Sequence, residues 1–181
     1  MEGKVSVIMK PQNLAPFYDG WRFTNERLVE KIDALSLEQL ELRAAPDLWP
    51  IWATAAHIAG ARVYWLCGVL KEPGAEGTPF TDPNGDGWED DLTHPRESSE
   101  LALALETSWK IVEGCLERWT VPMLQEEFRR EREGTIQVHT RQSVLFRLLT
   151  HDAEHCGQIS QTLGMRGLDG IDLWTGRAPT D

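Results

Sequence analysis

The chain has 181 residues, 41% of them hydrophobic, and a formal net charge of −11. That length can bury a sizeable core, and the acidic balance argues against nucleic acid, whose phosphates require a basic patch. No apolar run reaches the ~20 residues of a membrane span, no basic amphipathic helix suits a membrane surface, and the start lacks signal-peptide architecture.

In chain order, "LAPFYDGWRFTNERLVEKIDAL" carries Phe17, Trp21, Leu28 and Ile32 at helical spacing and predicts a first helix over 14–35. Ser36 then reads as the N-cap of one short turn, and Pro46 and Pro50 punctuate a loop. A second long helix is expected in "PIWATAAHIAGARVYWLCGVL", with Pro50 in its first turn. Residues 71–95 are rich in proline and glycine and predict a long surface loop. A third helix follows in "SSELALALETSWKIVEGCLERW", capped by Ser98 or Ser99. The segment "TVPMLQEEFRREREGTIQV" is mixed, with a helical turn and a short extended piece. Thr140 caps a last helix from Arg141 to about Met165, which Gly164 and Gly167 end. The pattern predicts an all-α chain, a four-helix bundle in one domain over 1–181, with a core over about 14–168 and an irregular tail at 169–181. Cys67, Cys115 and Cys156 are odd in number and widely spaced, which favours reduced thiols in a cytoplasm over a disulfide framework.

Chemistry concentrates in "LLTHDAEHCGQI", residues 148–159. Histidine is a middling helix former, so propensity does not explain His151 and His155 at i and i+4. That spacing places both rings on one helix face, the simplest way for one helix to offer two nitrogens to a metal. On a wheel of about 100° per residue they border an apolar stripe of Leu145, Leu148, Leu149, Ile159 and Leu163, where a metal would open to a cleft. His57 is the candidate third ligand. It sits mid-helix among Ala53, Thr54, Gly60 and Ala61, small residues that let another helix approach. Three neutral imidazoles leave an open coordination position, the pattern of catalytic zinc-type sites. The competing reading makes His57 an ordinary core histidine and the pair a coincidence of spacing. His94 and His139 read as solvated or capping residues.

Three segments carry a family resemblance. "WPIWATAAHIAG" resembles the first-histidine helix of the DinB/YfiT-like metalloenzyme family, and "LLTHDAEHCGQIS" resembles its histidine pair followed by Gly-Gln-Ile. "SLEQLELRAAPDLWP" resembles the segment that precedes the first histidine, and the likeness runs over about 16–168. The resemblance implies an up-down-down-up four-helix bundle, with the 71–95 loop as a long crossover between helices 2 and 3. It implies a divalent metal on His57, His151 and His155, and commonly a homodimer. Members with assigned chemistry include thiol S-transferases and a thiol-dependent isomerase that use low-molecular-weight thiols. The long acidic loop and the long tail depart from the family pattern, so no particular substrate carries over.

Such an ion lowers the pKa of a bound water or thiol, so a hydrolase and a thiol S-transferase both fit. Glu154 is the candidate general base, or else a solvated carboxylate. Asp152, near the centre of the apolar stripe, would orient a histidine or pair with an arginine from another helix. Gln158 would line the cleft or be simply polar surface, and Arg147 would bind an anionic substrate or likewise stand as polar surface. Zinc suits imidazole, while nickel, iron and manganese accept the same ligands. "HDAEH" also fits an inverted zinc-protease motif, but no downstream Glu supplies its third ligand. "DPNGDGWEDDLT" starts like a calcium loop at Asp82, Asn84, Asp86 and Gly87, but has Thr93 where a bidentate Glu belongs. The alternative to an enzyme is a non-catalytic dimeric helical module with a structural metal or none.

Overall fold

The computed structural model describes residues 13–80 and 90–173. Four long helices build the core: α1 (Asp19–Asp33), α3 (Ile51–Val63), α4 (Ser98–Arg118) and α5 (Arg141–Gly164), with a single-turn α2 at Leu37–Leu40. The start signals act as read at two positions. Ser36 closes a capping box with Gln39, and Thr140 closes one with Ser143. At α4 the cap is Glu97, whose partner is Glu100, rather than Ser98 or Ser99. A carboxylate at the N-cap accepts from the orphan amides and also complements the helix dipole.

α3 is buried nearly all round, from Ile51 to Val63, and it packs against both α4 and α5. It does not stop at Val63. Residues Tyr64–Val69 continue as a wider π turn, in which the Leu70 amide donates to the Trp65 carbonyl at 3.0 Å. Contacts fix the helix directions. Leu14 beside Leu116 and Trp21 against Trp109 make α1 antiparallel to α4. Arg62 beside Leu105, and Glu72 bonded to Arg118, make α3 parallel to α4. No helix among the described residues is long and apolar enough to cross a membrane.

The all-α expectation needs one correction. Residues Glu127–Arg132 (β1) and Thr135–Thr140 (β2) pair as an antiparallel hairpin, with Arg132 opposite Thr135. The two-residue turn has positive φ at both Glu133 (53°) and Gly134 (74°), the primed geometry that suits strand twist. The hairpin hides from a pattern search because two of its three apolar residues, Ile136 and Val138, point outward. Ile136 and Val138 are 67% and 48% exposed, while Phe128, Arg130, Gln137 and His139 form the half-buried inner face.

A buried polar knot joins all four long helices. Arg62 (α3) donates to Asp152 (α5) through Nη2 at 2.7 Å and Nε at 3.1 Å, and to Asn25 (α1) at 2.7 Å and the Leu105 carbonyl (α4) at 3.3 Å. Trp21 Nε1 donates to the same Asp152 oxygen at 2.7 Å. Asp152 is therefore the partner of an arginine from another helix. Its place in an apolar stripe follows from that, because a buried charge survives only when paired and hydrogen-bonded.

Candidate metal centre

α3 and α5 run antiparallel, which brings mid-α3 opposite the second half of α5. The three histidines meet there. His151 Nε2 lies 2.8 Å from His57 Nε2 and 3.2 Å from His155 Nε2. Among the described residues, His57, His151 and His155 form the one group of ligating side chains whose donor atoms lie within 4.8 Å of one another. Ligands at roughly 2.0–2.1 Å from one ion stand roughly 2.9–3.4 Å apart in octahedral or tetrahedral geometry, so these spacings fit a divalent metal.

The outer ring nitrogens set the orientation. His155 Nδ1 donates to Gln158 Oε1 at 2.8 Å, and His57 Nδ1 sits 3.1 Å from Asp90 Oδ1. An acceptor on Nδ1 keeps the proton there and leaves the Nε2 lone pair facing the cluster, the usual tautomer of a metal-ligating histidine. Trp49 stacks edge-on against His57 at 5.2 Å and walls the ring in place. Burial first, then the charges of His155, His57 and nearby arginines, push His151 down to about 3. Burial and His155 also lower His57, against the pull of Asp90. Both rings are therefore neutral at neutral pH, the form in which imidazole can bind a metal. The His151 Nδ1 atom is buried with no hydrogen-bond partner among the described residues.

A cavity of about 460 Å³ opens beside the cluster, lined by His57, His155 and Gln158 together with apolar Leu48, Trp49, Ile51 and Ile159. On the other side, one turn before His151 along α5, Arg147 stacks on Trp65 at 4.8 Å. Glu154 is exposed and outside the cavity lining. His139 is half-buried against Trp65 at 4.9 Å rather than solvated, whereas His94 is exposed beside Asp91. The protein's own thiols are poor nucleophiles, because burial raises Cys67 to about 11 and Cys115 and Cys156 to about 12.

Asp90 was not among the sequence candidates. It lies at the end of the long loop, and nothing local ties it to His57, 33 positions earlier. Its positive φ of 65° was no signal in a sequence either. Of the calcium-like motif, residues 82–89 lie outside the described residues. Arg62 was legible in principle, as the one charge inside an otherwise apolar helix.

A sequence model of the DinB superfamily matches residues 21–159. The crystal structure of a DinB-like protein from Bacillus cereus ATCC 10987 is similar in fold, with a TM-score of 0.66. It is 19% identical, and the match covers 89% of this chain and 97% of that one. No curated protein matches the chain.

Proposed function

The chain belongs to the DinB superfamily, and on that premise we propose that it is a divalent-metal-dependent enzyme, a thiol S-transferase or a hydrolase acting on a small molecule. The observation that carries this reading is the convergence of three Nε2 atoms beside a mostly apolar cavity. Contact directions support an up-down-down-up four-helix bundle, with α3 and α5 as the pair that holds the metal.

His57, His151 and His155 would hold the ion, zinc first, with nickel, iron or manganese accepted by the same donors. When bound, the ion supplies Lewis acidity that lowers the pKa of a water or thiol. Gln158 holds the Nδ1 proton of His155, and the Asp90 carboxylate lies 3.1 Å from His57 Nδ1 and favours a proton there. The apolar cavity wall excludes bulk water from one side of the cluster. Because the chain's cysteines are held as thiols, the sulfur of a transferase reaction would come from a low-molecular-weight thiol cosubstrate. Glu154 has no partner among the described residues and is the proposed proton acceptor. A Glu154→Gln variant is expected to keep its metal and lose activity; loss of metal would make Glu154 a ligand instead. A cytoplasmic location and a homodimer complete the proposal, on the strength of the reduced thiols and the family resemblance.

The test is elemental analysis of protein purified without a nickel column, beside a His155→Ala variant. About one metal per chain, absent from a variant that keeps its helical signal, supports the site and opens a screen of thiols with electrophiles. Lack of metal in wild type after reconstitution with zinc would overturn it. A bound metal that resists exchange and leaves no position for water would favour a non-catalytic module.

A further inference from the structure

We propose that Arg130 and Arg147 form an anion clamp around Trp65 that receives a carboxylate or phosphate group of the substrate. The inference rests on the enzyme reading for its meaning, but anion binding can be measured without metal.

The two guanidinium carbons lie 4.7 Å (Arg130) and 4.8 Å (Arg147) from the centre of the Trp65 ring. A guanidinium stacked on an aromatic face keeps its edge N–H groups free for a planar oxyanion. Arg130 is positioned by its neighbours. Its Nε donates to Gln137 Oε1 at 2.8 Å, and Nη1 donates to the Tyr64 hydroxyl. The side chain of Arg147 makes no hydrogen bond or ion pair among the described residues.

Elsewhere, with Arg43 on the Leu48 carbonyl an exception, most of the described arginines meet a carboxylate. Arg22, Arg62, Arg96, Arg118, Arg129 and Arg141 all meet one. With 29 acidic residues against 18 basic ones, two guanidiniums gathered on one ring without a carboxylate among the described residues are out of keeping with the rest. Like charges held together disfavour the fold unless something balances them. The platform is rigid, since Trp65 is 6% exposed and is set by the π turn. A third polar group faces the same ring: His139 stacks on it, and its Nε2 is buried without a partner among the described residues.

Position ties the clamp to the histidines. Arg147 precedes His151 by four residues on α5, so both lie on one face roughly 6 Å apart along the axis. Tyr64 follows His57 by seven, again on one face. The ligand class is therefore a small molecule that carries a carboxylate or phosphate group.

The test is isothermal titration of the full chain, metal-free and zinc-loaded, with malonate, with inorganic phosphate, and with malonamide as the neutral control. Saturable binding of an anion to metal-free protein is expected, with none of malonamide, and the tighter anion identifies the group. Arg147→Gln, at an exposed position, should weaken binding at least tenfold while keeping the helical signal and zinc stoichiometry. Tyr64→Phe, which frees Arg130 without removing a charge, should weaken it less. Binding of neither anion, or equal binding by Arg147→Gln, would overturn the clamp. Binding only to zinc-loaded protein and indifferent to Arg147→Gln would place the anion on the metal, overturning the clamp and leaving the metal reading intact. Anion binding that depends on Arg147 in a protein that takes up no zinc would uphold the clamp and remove the metal reading.

Discussion

His151 stands between the other two histidines, 2.8 Å from one and 3.2 Å from the other. A His151→Ala variant is expected to lose its metal in elemental analysis, since two ligands on different helices hold an ion far more weakly than three. The neighbouring residue answers to a different force. Arg62→Met leaves the Asp152 carboxylate buried without its cation, and breaking such a pair costs about 3–5 kcal/mol. Urea unfolding would read that as a lower midpoint at an unchanged slope. A double Arg62→Met, Asp152→Leu variant should recover much of the loss, because the penalty lies in the unpaired charge. At this scale the sequence was informative wherever a residue type contradicted its surroundings. A histidine pair in a helix and an aspartate in an apolar stripe are such contradictions. Asp90 and the stacking of Arg147 on Trp65 are ordinary residues in ordinary places, and only long-range folding brings them to the site.

Elements carry their own signals, and these were unequal. Helix starts with a hydroxyl cap and a glutamine or serine three residues later were legible, because capping is a local hydrogen-bond exchange. The β1–β2 hairpin was not, because Ile136 and Val138 are turned outward and reverse the usual inside-outside alternation. The junction of α3, α4 and α5 depends on Glu72, which accepts from Arg118 at 2.8 Å, Trp119 Nε1 at 3.0 Å and Arg141 at 3.2 Å. Burial alone would raise this carboxyl, but the three donors together carry it below its ordinary 4.5. A depressed carboxylate adds stability that is complete above its unfolded pKa and is lost as pH falls through the folded value. The unfolding midpoint should therefore drop below about pH 4.5, and Glu72→Gln should be less stable at neutral pH with a flatter acid limb.

For the molecule as a whole, the proposed ion joins α3 to α5 at a level where the Arg62 knot already joins all four helices. Metal binding and folding are then linked. A ligand that binds only the native state at about 100 times its dissociation constant adds about 2.7 kcal/mol. Thermal unfolding should move upward with zinc and return with a chelator, and the His151→Ala variant should not respond. An unchanged melting temperature in wild type would argue that zinc does not use the native site.

The π turn at Tyr64–Val69 carries a last consequence. One extra residue in a helix turn shifts the phase of everything after it, by about 100° relative to an uninterrupted α-helix. The turn thus lets α3 keep two schedules: one in phase with α5, which places His57, and a second beyond Val63, which aims Glu72 at Arg118 and Arg141. Deleting a single residue there would leave the histidines where they are and swing the far end of the helix out of step with the arginines it meets. Length changes in the loop beyond Leu70 would be tolerated sooner than any change of count within this segment.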